Sequence, residues 1–343
     1  MVAAPHLHVA TVMPSRYITT VTIILFLTAC QSNPERVSSL AFEFALVGDG
    51  PNVDYNEPKY ERMIDVINAR RNLSWVIHVG DLKGGGQSCD DAMLRDRYDL
   101  NQRFEIPFIL TPGDNDWFDC SRQSAGGYDP YERLTFLRRL FYPNAQLTTG
   151  QNPMPVTSQA DDPQFGEFVE NVRWTHHGIV FATLHLVGLN PGSAETPRDT
   201  KRMNAAIDWM QKAFQQAEEI DAAGIFLATQ VDPWIFSGLP GLLRQICPTC
   251  PLIRPSMMRL HNGLVDLAKE SDRPIILAVG DTHVFRVDKP LYDTGDGKLV
   301  EQFTRLEVFG HPYVHWVRVK ADPDTEEVFE IHQELVKANF GQP

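Results

Sequence analysis

The sequence predicts an α/β domain built on a parallel sheet, on three observations. Apolar runs of strand length alternate with runs of helical spacing from residue 41 onward. Four of the apolar runs end directly in Gly-Asp. Hydrophobic residues make up 43% of 343, enough for one sizeable core.

AFEFALVGD (41–49) reads as the first strand. In 60–71, Met63, Ile64, Val66 and Ile67 recur at helical spacing. LSWVIHVGD (73–81) is a second strand, 90–104 a second helix and PFILTPGD (107–114) a third strand, with a further helix at 131–141. The order β-α-β-α-β is the signature of a parallel sheet covered by helices. Residues 151–166, polar with several prolines, predict a long surface loop. GIVFATLHLVGL (178–189) is a strand, 199–218 a long amphipathic helix and GIFLATQ (224–230) a strand. A helix at 257–269 and the strand PIILAVGD (274–281) follow. LEVFG, YVHWVRVK and EVFEIHQEL then alternate like antiparallel strands. No internal repeat and no second domain boundary interrupts 41–338.

The first 30 residues stand apart. Arg16 precedes YITTVTIILFLTAC, an apolar run shorter than the roughly 20 residues that span a bilayer. It predicts a secretory signal. Leu27-Thr28-Ala29-Cys30 resembles the lipobox of bacterial lipoproteins, which implies cleavage before Cys30 and a lipid on its sulfur. Residues 31–40 then form a polar tether. The expected location is the periplasmic side of a bacterial envelope. Gln31 in place of Asp favours the outer membrane, and the lipid is the only membrane contact expected.

Four other cysteines, Cys89, Cys120, Cys247 and Cys250, suit an oxidising compartment. They allow three pairings; Cys89–Cys120 with Cys247–Cys250 is favoured. Prolines in and after CPTC favour a loop clip over a redox motif, and a zinc knuckle would need a second pair.

The formal charge of -13 argues against a nucleic-acid partner, since phosphate backbones want a Lys/Arg-rich face. It does not exclude a small phosphate ester, because a bound metal inverts the local field. The chemistry-bearing groups cluster in the strand-end turns VGDG, VGDLKGG, PGDND and VGDTH. Ligands of open α/β sheets bind at the carboxyl ends of strands. Gly permits the sharp turn and Asp aims a hard oxygen into the crevice. Asp49, Asp81, Asp114 and Asp281 would repel one another there unless one or two divalent cations compensate them.

Taken together, these motifs resemble the calcineurin-like metallophosphoesterase family over most of 41–336. The resemblance implies two packed mixed β-sheets flanked by helices, a four-layer α/β/β/α sandwich. It implies hydrolysis of a phosphomonoester or diester by a metal-activated water. It also implies a ligand set of Asp49, Asp81, Asp114, Gln230, Asp281 and His283. Several family positions differ: Pro51, Asn115, Gln230 and Asp281 stand where the family places His, His, His and His. Oxygen donors replace nitrogen, so Mn²⁺, Mg²⁺ or Ca²⁺ is expected over Zn²⁺ or Fe, at a one- or two-metal centre. Asn115 and Asp116 take the family's catalytic His-acid positions. Asn115 can donate a hydrogen bond but has no proton to give, so a protonated Asp114 or one of His176, His177, His185 and His311 is a candidate replacement.

Among the remaining residues, Lys83 reads as a solvated loop lysine, Trp209 as helix core and Trp174 as a strand-packed ring. Asn190 and Arg286 are candidates for the crevice mouth. The glycines at 84–86 lack the Lys-Ser/Thr of a Walker loop. The alternative function is a catalytically inactive phosphoesterase-fold lipoprotein acting as a binding or envelope-interaction module. A redox protein working through CPTC is the third. The substrate partner expected is a small phosphate ester; oligomeric state is not legible.

Overall fold

The computed structural model describes residues 40–189, 194–235 and 252–341. The first sheet uses β1 (Phe42–Val47), β2 (Leu73–His78) and β3 (Phe108–Leu110), connected by helices α1 (Glu57–Asn68) and α2 (Asp91–Asn101). These strands are mutually parallel, as the β-α-β-α-β pattern requires. Helix α3 (Pro130–Phe141) follows, capped by the Asp129 carboxylate with proline in its first turn.

The second sheet takes β4 (Thr157–Ser158), β5 (Val172–His176) and β6 (Ile179–Thr183). Helix α4 (Pro197–Glu219), opened by a Thr196–Asp199 capping box, leads to β7 (Gly224–Ala228). A small ladder of β8 (Trp234–Ile235) and β9 (Leu252–Ile253) precedes α5 (Met258–Lys269). The chain continues through β10 (Ile275–Val279), β11 (Arg286–Asp288) and β12 (Phe303–Glu307). It returns to the first sheet as β13 (Trp316–Ala321) and β14 (Phe329–Glu334). The sheet orders are β14-β13-β1-β2-β3 and β11-β12-β10-β7-β6-β5-β4.

Three apolar cores hold the layers. Phe44, Trp75 and Ile77 meet Phe181, Phe226 and Ile276 between the sheets. Tyr60, Ile64 and Leu137 seat α1 and α3 on the outer face of the first sheet. Trp209, Met210 and Leu264 seat α4 and α5 on that of the second. The architecture is therefore the expected pair of mixed sheets flanked by helices. Trp209 and Trp174 are both core residues, 3% and 7% exposed.

Two local expectations need correction. LEVFG does not join β13 and β14: Leu306 and Glu307 belong to β12 of the other sheet, which pairs parallel with β10 and antiparallel with β11. Alternation reports which face is buried, not which neighbour supplies the hydrogen bonds. Residues 151–166 hold a short strand, β4, which forms the sheet edge, and β5 is an unforeseen antiparallel strand between it and β6. Cys89 and Cys120 form a disulfide with Cα atoms 5.6 Å apart. Cys30, Cys247, Cys250 and Asn190 lie outside the described residues. No described helix is long and apolar enough to cross a membrane.

Candidate metal centre

The turns after β1, β2, β3, β7 and β10 converge at one end of the two sheets. Their backbone is unusual. Asp49, Asp81, Asp281 and His283 hold positive φ angles of 47°, 59°, 78° and 64°. Non-glycine residues rarely enter that region unless the surroundings impose it, and such residues cluster at functional sites. The turns also approach too closely for side chains. A Cβ on Gly113 would stand 2.0 Å from Asp81 Oδ1, and one on Gly310 2.6 Å from Asp49 Cβ.

Asp49, Asp81 and His283 each offer one ligand atom, all within 4.8 Å of one another. His283 Nε2 lies 3.9 Å from Asp49 Oδ1. Its Nδ1 is 2.8 Å from the His311 carbonyl oxygen. A carbonyl only accepts, so Nδ1 carries the proton and Nε2 presents a lone pair to the carboxylates. Asp49 and Asp81 are 0% and 3% exposed. Among the described residues, neither has a Lys or Arg within ion-pair distance. Burial, then the charges of Asp281 and Glu307, pushes Asp49 well above the usual carboxylate range, against the backbone N–H of Asp281. Burial, then Asp114 and Asp116, does the same to Asp81. Two carboxylates in this state, beside an imidazole lone pair, form a donor set that fits a divalent cation.

The other residues predicted for the site have different engagements. Asp281 donates its backbone N–H to both Asp49 oxygens, at 3.1 and 3.2 Å. Its carboxylate turns away onto the Arg254 guanidinium. Gln230 directs its side-chain NH₂ to Asp81 Oδ2 at 3.1 Å. Asn115 grips the same carboxylate twice, from its backbone N–H at 3.2 Å and its Nδ2 at 2.9 Å. Asp114 is pushed up to about 7 by burial and then by the charge of Asp119.

Asp116 does not enter the crevice. Its buried carboxylate accepts the N–H groups of Asp81, Leu82 and Gly113 at 3.0, 2.7 and 2.8 Å, fastening the turn after β2 to the turn after β3. Lys83 is buried rather than solvated and donates to the carbonyls of Gly84 and Gln87, both at 3.2 Å.

The candidate histidines separate. His185 is buried in a network: Trp117 Nε1 donates to its Nε2 at 3.0 Å, so its Nδ1–H faces Glu170, 2.5 Å away. His176 and His177 stack on each other beside Phe42, at the opposite end of β1 from the turn that carries Asp49. His311 is at the crevice, with its N–H on the Asp49 carbonyl at 3.2 Å. Arg286 reaches Glu307 at 3.2 Å.

Two residues of the site were not foreseen. Arg254 follows β9 with no motif around it. Glu307 ends β12, accepts the Thr282 hydroxyl and, at 3.3 Å, the Val284 N–H, and so fixes the two neighbours of His283. Its place was hidden by the misassigned strand.

No family model and no curated protein matches the chain. Among solved structures it is similar to PhoD, with a TM-score of 0.52 and 12% identity over 82% of this chain and 64% of that one. It is also similar to a purple acid phosphatase from yellow lupin seeds, with a TM-score of 0.49 and 10% identity over 88% and 55% of the two chains. A third is a 5′-nucleotidase precursor from Thermus thermophilus, with a TM-score of 0.44 and 10% identity over 86% and 54%. The chain spans less than two thirds of the length of each of these three. The likeness to PhoD is one of fold: two mixed β-sheets flanked by helices.

Proposed function

We propose that the chain hydrolyses a phosphate ester at a single divalent cation held by Asp49, Asp81 and His283. The observation that carries this is the convergence, within 4.8 Å, of two buried carboxylates and an imidazole. A divalent cation bound there supplies Lewis acidity, which lowers the pKa of a water and draws charge from the phosphoryl oxygens. The chain's own residues do the positioning. Asn115 and Gln230 hold Asp81 by hydrogen bonds to its oxygens, and Asp116 fixes the backbone beneath it. Arg254, paired with Asp281, sets a fixed positive charge across the crevice from the donor set. With two oxygens and one nitrogen as donors, Mn²⁺, Mg²⁺ or Ca²⁺ suits the centre better than Zn²⁺ or Fe.

A second reading, the fold kept as a binding or envelope-interaction module, draws on the Arg254–Asp281 pair, which occupies half of the crevice. From the sequence alone, we place the domain outside the cytoplasm, tethered by a lipid on Cys30. Mass analysis of the mature N-terminus checks that placement.

The test of function is metal analysis of the purified protein, followed by monoester and diester assays with Mg²⁺, Mn²⁺ and Ca²⁺. The expected result is one cation per chain and turnover that falls to background in Asp81→Asn. No metal uptake, with no rate above the Asp81→Asn control, removes the hydrolase and leaves the module.

A further inference from the structure

Beside the metal centre lies a cavity of about 500 Å³ that the function above leaves unused. Tyr55, Lys59, Tyr313, His315, Asn339 and Phe340 line it. Three of its rings stand open: Tyr55 is 58% exposed, Tyr313 61% and Phe340 53%. Exposed aromatic rings gathered round a concavity are a feature of ligand pockets, where each ring offers a large apolar face at small entropic cost.

The charge of this wall is unlike that of the chain. Among the described residues no carboxylate lines the cavity, in a protein of formal charge -13. Lys59 is 6% exposed and has no carboxylate within ion-pair distance among the described residues. Its Nζ lies 5.9 Å from the Tyr55 ring centroid. An ammonium on the wall of a cavity, with no counter-ion among the described residues, offers an anion its charge.

One residue, His311, separates the cavity from the donor set. Its carbonyl accepts from His283 Nδ1 at 2.8 Å, and its N–H donates to the Asp49 carbonyl at 3.2 Å. Its ring takes the Asn56 amide at 2.7 Å and lies 3.5 Å from the Tyr55 hydroxyl. The next two residues, Pro312 and Tyr313, are in the cavity wall.

We propose that this cavity receives the ring of an aromatic anion, with Tyr55, Tyr313 and Phe340 packing on the ring and Lys59 meeting the charge. The substrate class follows: a phosphate ester whose organic group is aromatic. Hydrolysis of such an ester adds water across the P–O bond, with oxygen going to phosphorus and a proton to the leaving oxygen, and needs no other reactant. The substrate statement rests on the function proposed above; the affinity for an aromatic anion does not.

The test therefore begins with ligands that contain no ester bond. Calorimetry on the purified protein, with and without Mn²⁺, compares phenylphosphonate with methylphosphonate. Phenylphosphonate should bind about tenfold tighter. Tyr313→Ala should remove most of that difference, while Lys59→Met should weaken both phosphonates, and the exposure of Tyr313 makes the first variant safe for folding. Equal affinities, no binding of phenylphosphonate, discrimination unchanged in Tyr313→Ala, or affinities unchanged in Lys59→Met overturns the proposal. Discrimination without hydrolysis of any ester keeps the cavity's role and removes the hydrolase. Turnover of aryl and alkyl esters at equal KM, with equal phosphonate affinities, keeps the hydrolase and removes the cavity.

Discussion

On the β1–β2 side of the crevice, Asp49 and Asp81 meet His283, and among the described residues neither has a Lys or Arg within ion-pair distance. On the β3–β10 side, Asp281 lies on Arg254, and Asp119, next to Asp114, lies on Arg122 at 2.6 Å. Both sides are built from the same Gly-Asp turn. Asp49, Asp81 and Asp281 even share the same left-handed backbone. The turn places the carboxylate, and the charge opposite decides whether that carboxylate is free to take a cation. A motif count therefore overstates the ligand set: of four strand-end acids, Asp281 is taken by an arginine, and of the three without a protein cation in ion-pair distance among the described residues, Asp49 and Asp81 gather with His283.

The largest effect should come from exchanging one carboxylate on each side for its amide. Asp81→Asn keeps the shape of the side chain but removes a donor. Metal affinity should fall by more than the roughly 10–100-fold typical of losing an outer partner, with activity at background. Asp281→Asn removes a carboxylate already engaged by Arg254, and its loss should stay within that 10–100-fold range. Mn²⁺ titration of the two variants measures the difference. Equal losses would mean that the two halves are one site and would break the comparison.

The second effect is on stability and follows from the direction of the carboxyl shifts. In the fold, Asp49 and Asp81 titrate well above their ordinary range, while Asp114 is pushed up to about 7 and Asp116 to about 6, in each case chiefly by burial. In the unfolded chain, aspartates titrate near 4. Between those values the unfolded chain has released protons that the fold retains. The contribution is fully present below the unfolded value and is lost as pH rises through the folded ones. Each group costs on the order of 1.4 kcal/mol per pH unit across that window. With chelator present, the midpoint of thermal unfolding should thus be lower at about pH 7.5 than at about pH 5. Saturating Mn²⁺, which binds the ionised carboxylates, should narrow the gap. Glu170 behaves in the opposite sense. Burial would raise it, but Arg138 and His185 hold it below the usual range, so its contribution is lost only toward acid. A chelated protein more stable at the higher pH would mean that the site's acids are compensated from within the fold.

What could be read from the sequence follows the same division. The parallel core of the first sheet was legible because its strands are apolar runs bounded by Gly and Asp, a local signal. That Asp49 and Asp81 lie together was legible because each ends such a run; His283, two residues past the run that Asp281 ends, was legible only through the family resemblance. Partners from distant segments were not. Arg254 reaches Asp281 across 27 residues and Glu307 reaches Thr282 across 25, and neither carries a local pattern. Lys83 reads as solvated because it stands in a loop; in the fold it is buried, with the carbonyls of Gly84 and Gln87 turned toward it. Asp116 sat in the expected motif but faces three backbone N–H groups, because the turn that aims Asp114 one way aims the second residue after it the other.

The smallest effect, and the one that most sharpens the comparison, is expected from Arg254→Met. Both members of the Arg254–Asp281 pair are about one-fifth exposed, with side-chain accessibilities of 22% and 21%. Solvent screens a pair of that kind, so its loss should cost about 1 kcal/mol in the metal-free protein. The informative readout is stoichiometry. If Arg254 is what keeps a cation out of the second half, Met leaves Asp281 uncompensated next to Asp49 and Asp114, and the same electrostatic conflict that fits the first half for a metal now exists in the second. The variant should take up a second Mn²⁺, more weakly than the first, and recover the lost stability as it does. A stoichiometry that stays at one would show that Asn115 and Gln230, whose amides already occupy Asp81 on that side, close the second half without help from the arginine.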